Sequence, residues 1–272
     1  MLSSKKFIWY NFFIYVLGLI VVAIYSNYYS IFWAVTVFIN VIISSISSII
    51  GNSVASNDVD KNYDDMMKLN FIYLWISGVS TVCLLRLYQP FMKLWLGEKY
   101  MLDFLSVILF CVYFYSLKIG DIRQSYFEAS GLWYEGKYIP LLQTLVNIIL
   151  NYVLGKKYEI NGIIIATIIS ILFIDFVFYT KILFKYYFKN KNIKEYLLSQ
   201  FKYALVTLII SVISLKFCLL ITLNSYSIII FRLIICILIS NGLYVLLYRK
   251  DIYFIEVKKY LKKNCQNVSK KI

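Results

Sequence analysis

Apolar and polar positions alternate in long blocks along the chain. Eight apolar stretches, at residues 7–25, 30–50, 69–88, 104–127, 138–154, 160–180, 203–223 and 227–248, are separated by short polar segments. A helix needs about 17–25 apolar residues to cross the hydrocarbon core of a bilayer. The stretches are apolar on all sides, without the polar stripe of a surface helix. Backbone polar groups in lipid must be satisfied within their own segment, so the stretches predict helices rather than open strands. The pattern predicts an all-α polytopic membrane protein with about eight transmembrane helices.

Composition agrees. Hydrophobic residues make up 61% of the chain and charged residues 15%, against about 25% charged in a soluble domain. Tyr25, Tyr28, Tyr29, Trp95, Tyr100, Trp133 and Tyr134 fall near predicted helix ends, as an interfacial aromatic belt requires. Pro90 and Pro140 also lie near predicted ends. Lys5 and Lys6 precede the first apolar run as in a signal peptide, but the run is longer than such a segment and no small-residue cleavage site follows. It reads as a retained span.

Eight spans place both termini on one side. Lys5, Lys6, Lys61, Lys68, Lys137, the lysines from Lys181 to Lys202 and the basic tail from Arg249 to Lys271 then share that side, and only Lys93, Lys99, Lys156 and Lys157 face the other. The positive-inside rule makes the lysine-rich side cytoplasmic. In the tail, Phe254, Val257 and Leu261 share a helical face flanked by lysines. Such a basic amphipathic helix suits an anionic leaflet, or docking of a partner protein. Ser56-Asn57-Asp58 offers a helix cap in the longest polar insert, 52–68.

The net charge of +14 does not point to nucleic acid, because the basic residues gather in loops and tail where a membrane protein uses them. His is absent, which removes the commonest zinc and haem ligand and the usual general base. The five Cys are scattered without C-x-x-C spacing, four of them in apolar stretches, and read as packing residues. No nucleophile elbow, phosphate-binding glycine loop or zinc motif is present. The expectation is no catalytic residue, no metal and no cofactor. The acids Asp58, Asp60, Asp64 and Asp65 read as a solvated capping loop.

Ionisable residues inside spans are costly and mark functional candidates. The fourth stretch holds Lys118, Asp121, Arg123 and Glu128. Lys118 and Asp121, three apart, share a face, and Ser125 and Glu128 continue it. This polar stripe predicts a water-filled cavity in which Lys118 and Arg123 bind an anion. The structural alternative is that Lys118 and Asp121 neutralise each other while Arg123 and Glu128 extend to the interface. Asp175 stands alone in the sixth stretch, a candidate for ion coupling or for pairing with Lys181 or another helix. Arg86, Lys216 and Arg232 read as snorkelling outer-end residues. Asn40, Asn147, Asn151 and Asn241 read as interhelical hydrogen-bonding groups.

Three stretches resemble one family. Ala23-Ile-Tyr-Ser-Asn-Tyr-Tyr-Ser-Ile31, Ser44-Ser-Ile-Ser-Ser-Ile-Ile-Gly-Asn52 with Val54-Ala-Ser56, and Pro90-Phe-Met-Lys-Leu-Trp-Leu-Gly97 look like the segments closing the seventh, eighth and ninth helices of Wzx-type O-antigen and capsule flippases. Ala129-Ser-Gly-Leu132, Pro140 with Asn147, and Asn161-Gly-Ile with Ala166-Thr167 extend the likeness. These flippases belong to the multidrug/oligosaccharidyl-lipid/polysaccharide exporter superfamily, whose members have two six-helix lobes, often with two appended helices. The resemblance implies residues 1–188 as a six-helix C-terminal lobe, 189–250 as two appended helices with their connector, and 251–272 as a cytoplasmic tail.

The resemblance also implies the cargo, an undecaprenyl-diphosphate-linked oligosaccharide moved between leaflets of a bacterial cytoplasmic membrane by alternating access. Lys118 and Arg123 would meet the diphosphate, and Asp121, Glu128 and Asp175 would serve as cavity or coupling groups. Membrane lipids are the surrounding partners. The likeness starts at the family's seventh helix, so an N-terminal lobe or a second copy of the chain is the expected partner. Two alternatives are a membrane enzyme of surface-polysaccharide assembly, such as a polymerase or acyltransferase, and a non-transporting or regulatory half.

Overall fold

The structure, a computed structural model, describes residues 18–217 and 226–259. Every regular element among them is helical. Helix α1 (Leu19–Ser56) and helix α2 (Val59–Leu96) each run for 38 residues, about 57 Å, nearly twice a hydrocarbon core of about 30 Å. They form a hairpin whose turn stands clear of the apolar layer. The turn is closed by Asp58, whose side chain accepts the Lys61 backbone N–H at 2.8 Å, so the expected cap forms.

The next crossing is broken. Helix α3 (Phe104–Lys118) stops at Ile119–Gly120, and α4 (Asp121–Ala129) resumes it. After the short α5 (Trp133–Gly136) comes α6 (Ile139–Ile169), which doubles back at Glu159, where φ is 49° and ψ −128°. Asn147 donates hydrogen bonds to Thr167 and Ser170 at 3.4 and 3.1 Å. A straight helix would hold these residues about 30 Å apart. Gly162 permits the reversal, since a Cβ there would lie 2.0 Å from the Leu154 carbonyl oxygen. A π-helical turn (Ser170–Phe176) leads into α7 (Val177–Tyr186), followed by α8 (Ile193–Phe217), α9 (Tyr226–Tyr248) and a helical stretch at 252–259.

Among the described residues six helical runs are long and apolar enough to cross a membrane. The run 133–186 contains the reversal, and its 54 residues are enough for two crossings. Large side chains such as Phe38, Val41, Ile149, Leu208, Phe231 and Leu246 are exposed around the bundle, a surface that suits lipid rather than water. The protein is an all-α, multi-pass membrane protein. One expectation changes: residues 25–30 are not a loop but continuous helix within α1. Leu19–Tyr25, assigned by hydropathy to a first span, therefore belong to the next helix. The rest of that first stretch lies outside the described residues. Hydropathy cannot locate a break between two apolar segments when neither side of it is polar.

Contacts sort the helix ends onto two faces. On one, Lys191 pairs with Asp60 at 2.8 Å, Lys68 with Glu256 at 2.9 Å and Lys202 with Asp251 at 2.5 Å, and Asn62 donates to the Tyr187 hydroxyl at 2.9 Å. On the other, the Tyr28 hydroxyl donates to Gln89 and accepts the Leu102 N–H, and Gln89 donates to the Leu102 carbonyl. The tail does not leave the bundle at once. Phe254 stacks on Trp75 at 5.7 Å, so part of its apolar face covers α2 instead of lipid.

Candidate functional site

Helix α3 breaks where the sequence reads Lys118-Ile-Gly-Asp121. Glycine disfavours helix by about 1 kcal/mol, and the break has an electrostatic reward. Lys118 ends α3 and Asp121 begins α4, so each charge meets the helix terminus of opposite partial charge. Lys118 Nζ donates to Asp121 Oδ2 at 2.8 Å and to Asn40 Oδ1 of α1 at 2.7 Å. The Tyr73 hydroxyl of α2 donates to the same Asp121 oxygen at 2.5 Å. Four segments thus meet on one carboxylate-ammonium pair.

One turn further, Arg123 reaches the π-helical turn. Its Nη2 contacts Asp175 Oδ2 at 3.2 Å, and its Nη1 donates to the Phe176 carbonyl at 2.7 Å and the Asp175 carbonyl at 3.2 Å. The Phe176 and Tyr179 rings flank the guanidinium at 5.3 and 5.4 Å. A π-helix leaves backbone carbonyls displaced from the regular ladder and recurs at functional sites. Here it presents carbonyls and a carboxylate together to one guanidinium. Lys118 and Arg123 are almost fully buried, with side chains 3% and 1% exposed, whereas Asp121 and Asp175 keep 26% and 30%.

The two acids open onto one polar cavity of about 180 Å³, lined by Gly120, Asp121, Arg123, Gln124, Gln143 and Asp175 among others. That is room for about six waters. Arg123 Nε and Gln124 Oε1 are buried beside it without a hydrogen-bond partner. Lys118 lies about 21 Å along α3 from its start and Asp175 about 22 Å beyond the reversal, so the ion pairs share a depth near the middle of the bundle. A second space, about 1060 Å³ and strongly apolar, runs between α1, α2 and α9. Its α2 wall extends from Phe71 to Phe91, about 30 Å, a full hydrocarbon thickness.

The structure brings together Lys118, Asp121, Arg123 and Asp175 of the predicted residues, and leaves Glu128 apart. Glu128 is exposed and accepts only from Gln124, at 3.1 Å. Lys118 and Arg123 do not converge on a shared opening; each is held by its own acid. Asp175 pairs with Arg123 rather than Lys181. Arg86 is half-buried, with Nε and Nη2 unpartnered, rather than extended to the interface, and the Lys216 side chain lies outside the described residues. Asn147 and Asn151 hydrogen-bond within the α6 reversal, and Asn241 accepts from Trp75 at 3.0 Å. Sequence reasoning missed Tyr73, whereas Asn40, read there as an interhelical hydrogen-bonding group, accepts from Lys118 across helices. Tyr73 is one of 26 tyrosines, and nothing in its spacing marks it.

No family model, no curated protein and no solved structure matches this chain. Fold and site together define a class: a polytopic helical membrane protein with two paired charges at mid-span, each placed where a helix departs from regular geometry.

Proposed function

We propose that this chain forms one lobe of a flippase that moves an undecaprenyl-diphosphate-linked oligosaccharide from the inner to the outer leaflet of a bacterial cytoplasmic membrane by alternating access. The observation that carries this reading is the placement of two buried cations at mid-span, at helix irregularities, with Arg123 lining a polar cavity and Lys118 held by Asp121, which also lines it. Secondary transporters bind their cargo near the bilayer midplane on broken helices. The likeness of residues 44–56 and 90–97 to Wzx-type flippases supplies the cargo, whereas residues 23–31, likened to a junction after a helix, lie within α1.

The paired state fits a resting site. A bare ammonium and guanidinium at this depth would be costly, and Asp121 and Asp175 offset that cost. A diphosphate brings the same oxygen chemistry as the carboxylates and can take over the cations when the acids are protonated or displaced. Gln124 and Gln143 offer donors and acceptors to sugar hydroxyls. The apolar groove along α2 has the length and lining for an isoprenoid tail. Binding and exchange of ion pairs, rather than bond-making, is the chemistry these groups support.

A second lobe completes the site in this reading. Asn40, which holds Lys118, sits on an exposed face of α1 that also carries Ser44, Ser45, Ser47 and Ser48. Polar groups at that depth need protein or water against them. A separate N-terminal-type lobe or a second copy of the chain covers this face. The lysine-rich face of the bundle, with the tail, is cytoplasmic.

Complementation tests the proposal. In a strain lacking its own flippase, the chain with a second lobe should restore surface polysaccharide, and Lys118→Gln with Arg123→Gln should abolish it. Restoration by the double variant, or by the wild-type chain as a demonstrated monomer, would refute the reading.

A further inference from the structure

The bundle carries a second set of buried polar groups, away from the cavity, along the seam between α2 and α8. Asn70 is 1% exposed and both atoms of its amide lack a partner; Gln200 is 2% exposed and the same holds for its amide. The hydroxyls of Tyr63 and Tyr196, also buried, have no hydrogen-bond partner either. Buried polar groups in native proteins are satisfied by protein or by ordered water, and clusters of orphans call for an explanation. Desolvating an amide without replacing its hydrogen bonds costs about 1–3 kcal/mol, so a dry seam with two such amides would be a poor solution for a helix pair.

The orphans lie in register. Tyr63 and Tyr196 both pack on the Phe184 ring, at 6.1 and 5.5 Å, and Phe71 packs on Tyr203 at 5.7 Å. The two helices therefore run parallel, and Gln200 falls level with the turn of α2 between Met67 and Asn70. On α2 itself Tyr63, Asn70 and Ser77 recur every seven residues on one face, and Tyr73 follows Asn70 by three. Ser77 sits beside the Tyr73 hydroxyl, which donates to Asp121. At the opposite end Tyr63 lies near Asp64 and Glu195 and under Lys191, which pairs with Asp60. The line of orphans thus starts at an acidic rim on the lysine-rich face and ends at the carboxylate that holds Lys118.

We propose that the α2–α8 seam holds a file of ordered waters that delivers protons from the Asp60–Asp64–Glu195 rim to Asp121. Waters hydrogen-bonded to Tyr63, Tyr196, Gln200 and Asn70 carry the excess proton inward. At the last step a water gives its proton to the Tyr73 oxygen while the tyrosine's own proton passes to Asp121 Oδ2, so no tyrosinate forms and one O–H bond is made for each broken. Neutral Asp121 loses its attraction for Lys118, whose ammonium is then held by Asn40 alone and is open to an anion. The other charges around Asp121, namely Arg123 and Asp175, are paired with each other and leave Lys118 as the group released. The file would reach Asp121 from the lysine-rich face, separately from the polar cavity onto which Asp121 also opens. The route would serve Asp121 whatever the cargo.

Two measurements on the purified chain in lipid nanodiscs test this without any transport activity. In hydroxyl-radical footprinting, which marks side chains beside bound water, Tyr63, Tyr73 and Tyr196 should label roughly fivefold faster than the equally buried Tyr28 and Tyr88. Asn70→Leu with Gln200→Leu should remove that difference at Tyr73. In a pH-jump followed by infrared absorption of the Asp121 carboxyl, assigned with Asp121→Asn, the Leu pair should slow protonation by about tenfold or more. Tyr73→Phe, which keeps the packing, should slow it as well. Labelling of Tyr73 no faster than Tyr88, or wild-type protonation rates in Tyr73→Phe, would overturn the proposal.

Discussion

Arg123 and Asp175 hold each other across two irregular segments: the guanidinium rises just after the Gly120 break, and the carboxylate and its own carbonyl come from the π-helical turn. Among the described residues neither partner has another counter-charge in contact. Removing one partner of a buried pair leaves an uncompensated charge and costs roughly 3–5 kcal/mol. Asp175→Leu, which strands the almost fully buried Arg123, should lower the unfolding free energy in detergent by about that amount, and Arg123→Leu, which leaves Asp175 open to the polar cavity, by less. The double Leu variant should be less destabilised than the sum of the two. Additive losses would show that the pair is not coupled.

Lys118 and Asp121 should behave differently, because Asp121 is also held by Tyr73 and Lys118 by Asn40. Asp121→Asn keeps an acceptor for both but removes the counter-charge of the buried ammonium, and should cost about 1 kcal/mol less than a change that removes the acceptor as well. Asp121→Leu strands the ammonium and should cost about 3 kcal/mol or more. Equal losses in chemical unfolding of the two variants would contradict the four-segment junction.

The reversal in α6 depends on the absence of a side chain at Gly162. Gly162→Ala drives a Cβ into the Leu154 carbonyl and should destabilise by about 3 kcal/mol or more. Gly51→Ala, where a Cβ meets nothing within 4 Å in mid-helix, should be neutral or stabilise by about 0.5–1 kcal/mol. Thermal unfolding of the two variants side by side checks the contrast.

Topology follows from the charge on the two faces. In a background without native cysteines, Cys placed at Glu98 or Lys157 should react with an impermeant thiol reagent in intact cells. Cys at Asn192 or Lys250 should react only after the membrane is opened. The reverse pattern would invert the bundle in the membrane.

Much of the fold is legible in the sequence because the bilayer imposes it. Twenty-residue apolar blocks have few alternatives in lipid, and lysine placement separates the two faces. What the pattern hides is where an apolar block is interrupted. Leu19–Ser56 reads as one and a half spans and is a single helix, because Tyr25–Ser30 is polar enough to suggest a turn and yet has neither Gly nor Pro to make one. The pairing of Lys118 with Asp121 follows from their three-residue spacing, although a helix break falls between them. That of Arg123 with Asp175 does not, since the two are 52 residues apart and only the packing of α4 on the π-turn joins them. Tyr73 carries no charge and no spacing signal, so its part in the site is visible only in three dimensions; for Asn40 the sequence indicates an interhelical hydrogen bond but not that Lys118 is its partner.

The central claim is that mid-span cations take the diphosphate of a lipid-linked oligosaccharide. Native mass spectrometry of the chain together with its second lobe in nanodiscs with undecaprenyl-diphosphate-linked oligosaccharide tests it most directly. The account predicts a retained adduct that inorganic diphosphate competes away, weakened by about tenfold or more in Lys118→Gln with Arg123→Gln, a loss of about 1.4 kcal/mol or more. No adduct with the wild-type chain, or an undiminished one in the double variant, would contradict it.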